Sequence, residues 1–407
     1  MVTSTVDAMK YLDFDPFDHA FRDDPYAYYP KLLEASPCLV DVEGVPSALV
    51  CTQAQNQAVL RNFKGFSSLK PKGLPGMERL DVMNGLPVMN YSDPPEHTRR
   101  RKIVNPAFTP KRVERLNEQA AALIDDYLNE FAKHAEFEVM NSFAMPFSRT
   151  TVLEQFMGVE RKDHVGFDEF MDSLRLLDGL RPGDPKPPAY LRGFEKMKAY
   201  CRRQQELAQR GECPSLIGVV AGSVDGGALS DDEMLAMMLV LLTGGVTTTA
   251  SAAAVGLMNL ARTPGLADQL RQDPEFAKNI LEESLRLDPP IAYLMRFATD
   301  DIEIGGKLIP KGTPVYAMNG TACHDPEAFP DPDSFDPNRH NLREHLAFGY
   351  GMHTCIGNTI VRSVVPLLIN KFVERFPNIR LSKRAEPIVW AKGSSRVRHI
   401  GELWLSA

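Results

Sequence analysis

From Met234 to Ala261 the chain carries no charged side chain. A helix over such a stretch is apolar on every side, so it must either cross a membrane or run buried through a large protein. Three features favour burial. Ser230-Asp231-Asp232-Glu233 is a capping box that opens a helix. Gly244-Gly245 and Thr247-Thr248-Thr249 interrupt the apolar run, and no second span of this kind exists in the sequence. The whole chain has 407 residues, 43% hydrophobic and 24% charged, which is ordinary for a globular protein able to enclose such a helix.

No Gly/Ser-rich, Pro-rich or single-charge linker divides the sequence, and it holds no internal repeat. A single domain over residues 1–407 is expected, with a β-rich N-terminal part at about 30–65 and a helical remainder. The net charge of −7 argues against nucleic acid as a partner. Cys38, Cys51, Cys201, Cys213, Cys323 and Cys355 follow no disulfide-framework spacing, which suits a reducing compartment. Met1 to Pro30 is acidic and aromatic-rich with no apolar run of signal length, so the expectation is a cytoplasmic protein without a membrane anchor.

Local patterns place the remaining elements. Cys38–Val42 and Ala48–Cys51 flank a Gly44/Pro46 turn and predict a hairpin. Gln53–Asn62 predicts a helix, and the Gly-, Pro- and Met-rich stretch Phe63–Pro95 a long loop. Val113, Leu116, Ala120, Leu123, Ile124, Tyr127, Leu128 and Phe131 make a helical stripe over Lys111–Phe131. His164–Leu177 and Tyr190–Gln209 read as amphipathic helices around the proline-rich loop Arg181–Pro188. Glu275–Leu287 and Asn358–Phe376 predict further helices. Arg296–Pro314 alternates like short strands about Gly305-Gly306, and Ala322–His345 is irregular.

The stretch Phe348-Gly349-Tyr350-Gly351-Met352-His353-Thr354-Cys355-Ile356-Gly357 carries the chemistry. Its glycines permit a tight turn, and the apolar run after Cys355 starts a helix. Cys355 therefore lies near free backbone N–H groups at a positive helix end, which favour a thiolate. A structural cysteine or half of a zinc site are the alternatives. Zinc needs four ligands, usually in close pairs, and no second Cys-x-x-Cys or His-x-x-x-His pair is present.

This stretch resembles the haem-binding loop of the cytochrome P-450 family, Phe-x-x-Gly-x-His/Arg-x-Cys-x-Gly, at Phe348, Gly351, His353, Cys355 and Gly357. The resemblance implies a mainly α fold with small antiparallel sheets, and haem between the long central helix and the cysteine loop. It implies haem b as cofactor, Cys355 as the iron ligand and O₂ as co-substrate. Glu283-Ser284-Leu285-Arg286 and Arg339 of Phe335-Asp336-Pro337-Asn338-Arg339 match a second family motif, a structural triad of Glu283, Arg286 and Arg339. His97 and Arg101 of Asp93-Pro94-Pro95-Glu96-His97-Thr98-Arg99-Arg100-Arg101, with Arg296 and His353, match the cations that hold the haem propionates.

Leu242-Thr243-Gly244-Gly245-Val246-Thr247-Thr248-Thr249 resembles the family's oxygen-binding stretch, Ala/Gly-Gly-x-Asp/Glu-Thr. Gly244 and Gly245 clear space, and Thr248 matches the threonine at bound dioxygen. Thr247 stands where the family has an acid, and a hydroxyl does not ionise near neutrality. The resemblance places Leu74, Met77, Met83, Leu86, Val88, Val240, Ile291, Tyr293 and Leu294 around the substrate pocket, which suits a small or medium hydrophobic substrate. No cation is assigned to a substrate carboxylate. Electrons are expected from a separate ferredoxin or flavodoxin, with Arg99, Arg100, Lys102, Lys111 and Arg343 as a basic docking patch.

The function implied is a haem-thiolate monooxygenase. Thr247 keeps a peroxide-using or non-redox enzyme of the same fold as the second reading. A non-catalytic haem or ligand-binding protein is the third, and it has no need of the oxygen-binding groove.

Overall fold

The computed structural model describes residues 9–71, 81, 83–174, 176, 177, 180, 184–212, 215–224, 227–392 and 396–407. Its first helices are α1 (His19–Asp23), α2 (Tyr29–Ala35) and α3 (Gln53–Arg61). Then come α4 (Glu96–Val104), α5 (Pro110–Phe131), α6 (Met145–Arg149), α7 (His164–Leu174), α8 (Pro188–Gln209) and α9 (Leu216–Gly222). The second half holds α10 (Asp231–Arg262), α11 (Leu266–Gln272), α12 (Ala277–Leu287), α13 (Asn319–Ala322) and α14 (Asn358–Arg375).

The uncharged stretch is α10. The Glu233 N–H donates to the Ser230 hydroxyl at 3.3 Å, and the Ser230 N–H donates back to the Glu233 carboxylate at 2.9 Å. Both first-turn donors are thereby satisfied. Among the described residues α10 alone is long and apolar enough to cross a membrane, and 67% of its most apolar stretch is buried inside the protein.

Two cores share this helix. From Ala250 to Leu260 it packs with α12 and α14, in a core that α5 shares. From Met234 to Val246 it packs with α7, α8 and α9. Gly244 to Thr248 is where it passes from one core to the other, and Gly244, Thr247 and Thr248 keep solvent exposure there. The packing thus leaves Gly244, Thr247 and Thr248 partly uncovered between the two cores.

The strands are β1 (Cys38–Val42), β2 (Val45–Val50), β3 (Phe66–Ser67), β4 (Glu136–Glu138), β5 (Leu294–Ala298), β6 (Ile302–Ile304), β7 (Lys307–Ile309) and β8 (Pro314–Ala317). The short strands β9 (Arg380–Leu381), β10 (Val389–Trp390), β11 (Ile400–Glu402) and β12 (Trp404–Ser406) follow. The main sheet runs β1-β2-β8-β5-β3, with β2 and β8 parallel and the other pairs antiparallel. The β1–β2 hairpin turns at Glu43-Gly44, both at positive φ (54° and 81°), as a tight two-residue turn requires. β5 brings Arg296 towards the cysteine loop.

One element escaped the sequence reading. Met140 to Met157 is a continuous helix, widened by i→i+5 bonds such as Ala144 N–H to the Val139 carbonyl at 2.7 Å. Wide winding moves apolar positions off the 3.6-residue period, which hides them from a periodicity search. The Ser148 hydroxyl anchors this helix to the Val246 carbonyl of α10 at 2.7 Å.

Candidate active site

The cysteine loop is shaped by local chemistry. Gly349 and Gly351 have φ of 70° and 71°, and a Cβ on Gly351 would lie 2.8 Å from the Leu60 carbonyl oxygen. Only glycine fits that position without strain. The Cys355 N–H donates to the Phe348 carbonyl at 2.8 Å and closes the loop. From α4, Arg101 donates to the Met352 carbonyl at 2.9 Å and the Thr354 carbonyl at 2.6 Å, clamping the residues before the cysteine.

Cys355 alone among the five described cysteines is exposed; Cys38, Cys51, Cys201 and Cys323 are buried. Its thiol accepts from the Gly357 and Asn358 N–H groups at the start of α14, as the sequence predicts. The net effect differs from expectation. Crowding by protein on its inner sides pushes the thiol pKa up, and this outweighs those donors and the charges of Arg101 and Arg362. A metal cation in place of the proton would supply the missing positive charge.

Above the loop the predicted cations come together. The His97 and His353 rings lie 4.1 Å apart. Burial, then Arg296, His97 and Arg101, push His353 down to about 3. Burial chiefly lowers Arg296 to about 10. Neither ring nitrogen of His97, nor Nη2 of Arg296, has a hydrogen-bond partner among the described residues, although all three atoms are buried. Asp93, the carboxylate acting on both His97 and Arg296, is already held by the Ser67 hydroxyl and the Ser68 N–H. Buried donors left unpaired cost about 1–3 kcal/mol each, so this arrangement calls for an anion. Two propionates match it in charge and in donor chemistry, and the residues present fit haem.

The two glycines of α10 do different work. A Cβ on Gly244 would meet nothing within 4 Å, whereas one on Gly245 would lie 2.7 Å from Val152 Cγ1. Gly244 therefore keeps the groove open, and Gly245 permits close packing of the wide helix. The Thr248 hydroxyl donates to the Gly244 carbonyl at 2.7 Å. The Thr247 hydroxyl makes no hydrogen bond to a described residue and keeps partial exposure.

The residues expected to line the pocket fall in different places. Leu86 and Val240 are partly buried against the α7–α9 core, beside the buried Val88 and Met83. Ile291 bridges Val397, and Leu294 approaches Gly349. Tyr293 does not belong: it is fully buried with its ring 5.4 Å from Tyr316 and 5.9 Å from Phe17. It lies just before β5 and packs into the N-terminal aromatic core. Leu74 and Met77 lie outside the described residues, as do residues 181–183 of the proline-rich loop. The rest of that loop is tethered, with Lys186 donating to the Asp81 carboxylate at 2.8 Å and to Asn84 at 3.0 Å.

Glu283, Arg286 and Arg339 do meet. Glu283 accepts two bonds from Arg286 at 2.8 Å and one from Arg339 at 3.0 Å. Arg286 also reaches the Cys323, Pro332 and Ser334 carbonyls. A second network was missed. Glu282 binds His345 at 2.8 Å and Arg362 at 2.7 and 2.9 Å, and the Arg362 guanidinium lies 4.5 Å from the Phe348 ring centre. The basic patch shrinks: Arg100 is buried on Glu233 and Ser92, and Arg99 is paired with Glu96 and Glu233. Lys102, Lys111 and Arg343 remain exposed.

An exposed cysteine at a helix start, beside buried histidine and arginine donors that lack partners, fits a haem-thiolate protein. The cytochrome P450 family model matches residues 75–389, and the chain belongs to that family. It is 31% identical over 384 residues to the 6-deoxyerythronolide B hydroxylase of Saccharopolyspora erythraea, covering 92% of this chain and 94% of that one. It is 30% identical over 386 residues to the cytochrome P450 monooxygenase PikC of Streptomyces venezuelae, covering 93% and 90%. The solved myxobacterial cytochrome P450 CYP267B1, in complex with myristic acid, superposes with a TM-score of 0.83 at 26% identity, covering 96% and 98%. The chain is a haem-thiolate monooxygenase that uses haem b and O₂.

Proposed function

We propose that this enzyme inserts one oxygen atom of O₂ into a C–H bond of a small or medium hydrophobic organic molecule. Cys355 ligates the iron. His97, Arg101, Arg296 and His353 hold the propionates, and Phe348, Gly351 and Gly357 shape the loop around the thiolate. Bound haem supplies an electron-rich thiolate-ligated iron that favours O–O cleavage. Gly244 leaves room for a small ligand above it, and Thr248 and Thr247 position water and protons there. Glu283, Arg286 and Arg339 keep the scaffold rigid. The whole chain acts as one domain in the cytoplasm, taking electrons from a ferredoxin or flavodoxin that docks by Lys102, Lys111 and Arg343.

The observation that carries this reading is the set of orphaned donors on His97 and Arg296 beside an exposed Cys355. The myristic acid held by the myxobacterial relative, and the hydroxylase name of the Saccharopolyspora relative, support an apolar organic substrate. The test is the reduced protein with carbon monoxide, which should show the red-shifted band of thiolate ligation. Cys355→His should abolish that band, and a wild-type protein without it would overturn the reading. Thr247 favours the second reading, and turnover with peroxide but not with NADH and a ferredoxin system would establish it.

A further inference from the structure

α7 and α8 touch at one end and part at the other, and their two glycines mark the difference. A Cβ on Gly193 would lie 3.2 Å from Ser173 Oγ and 3.3 Å from Phe170 Cα, so Gly193 lets the helices meet. A Cβ on Gly166 would meet nothing within 4 Å. Glycine weakens a helix relative to alanine, and neither close packing nor a left-handed backbone requires it at Gly166.

Gly166 instead borders a cavity of about 400 Å³ between the start of α7 and the middle of α8. Sites for small ligands span roughly 300–1,000 Å³. The inner wall is Val159, Phe167, Met197 and Leu242, all buried. Leu242 stands two residues before Gly244 on α10. Two helical residues turn by about 200°, so the cavity lies on the side of α10 away from Gly244 and apart from the haem site.

The rim is charged. Arg203 donates to Asp163 at 2.5 Å and stands 5.5 Å from the Tyr200 ring centre, which closes one wall. Among the described lining residues Asp163 is the one carboxylate, and it belongs to Arg203. Lys162 and Lys196 complete the rim. Lys162 pairs with Glu160 at 2.5 Å and Lys196 pairs with Glu169, but neither glutamate is among the described lining residues. All four side chains are more than half exposed. Exposed pairs of this kind contribute little, so either ammonium can turn to an anion in the cavity.

We propose that this cavity is a second small-molecule site, distinct from the oxidation site, for an aromatic organic anion. The ring lies against Phe167, Met197 and Leu242, where an aromatic edge and an adaptable thioether suit it. The acid group meets Lys162 and Lys196. Such an occupant touches α7, α8 and α10 together.

The test is calorimetric titration of haem-loaded protein whose haem pocket is blocked with excess phenylimidazole. The probes are naphthalenesulfonate and its neutral analogue naphthalenesulfonamide. Wild type should bind one naphthalenesulfonate per chain. Joint replacement by Lys162→Gln and Lys196→Gln should weaken the sulfonate about fivefold or more and leave the sulfonamide unchanged. Gly166→Leu fills the cavity and should bind neither probe, with a melting temperature no lower than wild type. Absence of sulfonate binding in the blocked wild type would overturn the proposal, because any binding would then belong to the haem pocket. Unchanged binding by Gly166→Leu, or equal weakening of both probes in the lysine variant, would also overturn it. So would a Gly166→Leu protein that melts lower or fails to fold, since the space for its side chain would not exist.

Discussion

Glu282 on α12 accepts both Nε and Nη2 of Arg362 on α14, at 2.7 and 2.9 Å. The adjacent Glu283 binds Arg286 and Arg339 instead. Consecutive helical residues point about 100° apart, so one turn of α12 ties two separate structures together. Glu283 secures the irregular stretch after α13. Glu282 secures α14 and, through Arg362 over Phe348, the cysteine loop itself.

That pairing makes stability depend on pH. Burial would raise the Glu282 carboxyl, but the hydrogen bonds from His345 and Arg362 hold it down to about 2, against an ordinary value of 4.5. A depressed carboxyl stabilises above its unfolded pKa and loses that contribution as pH falls towards the folded one. The difference corresponds to roughly 3 kcal/mol. Wild type should therefore weaken between about pH 5 and pH 2, and Glu282→Gln should be less stable at neutrality but flatter over that window. Urea midpoints measured across the range decide it; parallel curves for the two proteins would refute the assignment.

Glu283→Ala should be severe. Both Glu283 and Arg286 have 0% side-chain exposure, and removing the carboxylate strands two guanidiniums. The expected cost is about 3–5 kcal/mol, seen as low soluble yield, poor haem content and a lower melting temperature. Glu275→Ala, which breaks an exposed pair with Lys278, should cost under about 0.5 kcal/mol and serves as the control. Similar melting temperatures for the two variants would show that the triad does not hold the scaffold.

What could be read in the sequence was local. The capping box at Ser230, the hairpin about Gly44 and the cysteine loop each depend on residues within ten positions, and each is present, although Pro46, read as part of the turn, lies in β2 and the turn itself is Glu43-Gly44. Glu283 and Arg339 are distant, yet matched family motifs flagged them. The Glu282 network spans long separations: Arg362 is 80 residues from Glu282, and His345 is 63 from it. Tyr293 misled because its apolar ring sits between two expected wall residues, Ile291 and Leu294, and only its contacts with Tyr316 and Phe17 show where it packs. Arg99 and Arg100 misled similarly: a run of three arginines looks like a solvated face, but Glu233 at the start of α10 captures two of them.

The two glycines of α10 should respond oppositely to alanine. Gly245→Ala drives a methyl to 2.7 Å from Val152, which should destabilise by about 1–3 kcal/mol. Adding Val152→Ala should recover part of that loss. Gly244→Ala meets nothing within 4 Å, so folding should be untouched while the methyl narrows the cleft. Thermal melts of the three proteins, with carbon monoxide association rates for Gly244→Ala, separate the two roles. Equal melting temperatures for the single variants would contradict the assignment.

Proton delivery should depend on Thr248 in an unusual setting. Its hydroxyl donates to the Gly244 carbonyl, so its lone pairs face outward and can accept from water in the cleft. Thr247 beside it cannot ionise, so the position that carries an acid in the family supplies no carboxylate to set the acidity of that water. Thr248→Ala removes the one fixed hydroxyl, and NADH oxidation should then yield less product. Thr247→Asp restores an ionisable group at the partly exposed position and should preserve or improve coupling. Peroxide brings its own protons, so peroxide-driven turnover should change less in both variants. The measurement is product formed per NADH consumed, with substrate bound and a competent redox partner. A ratio equal to wild type in both variants would mean that protons reach the site without these threonines.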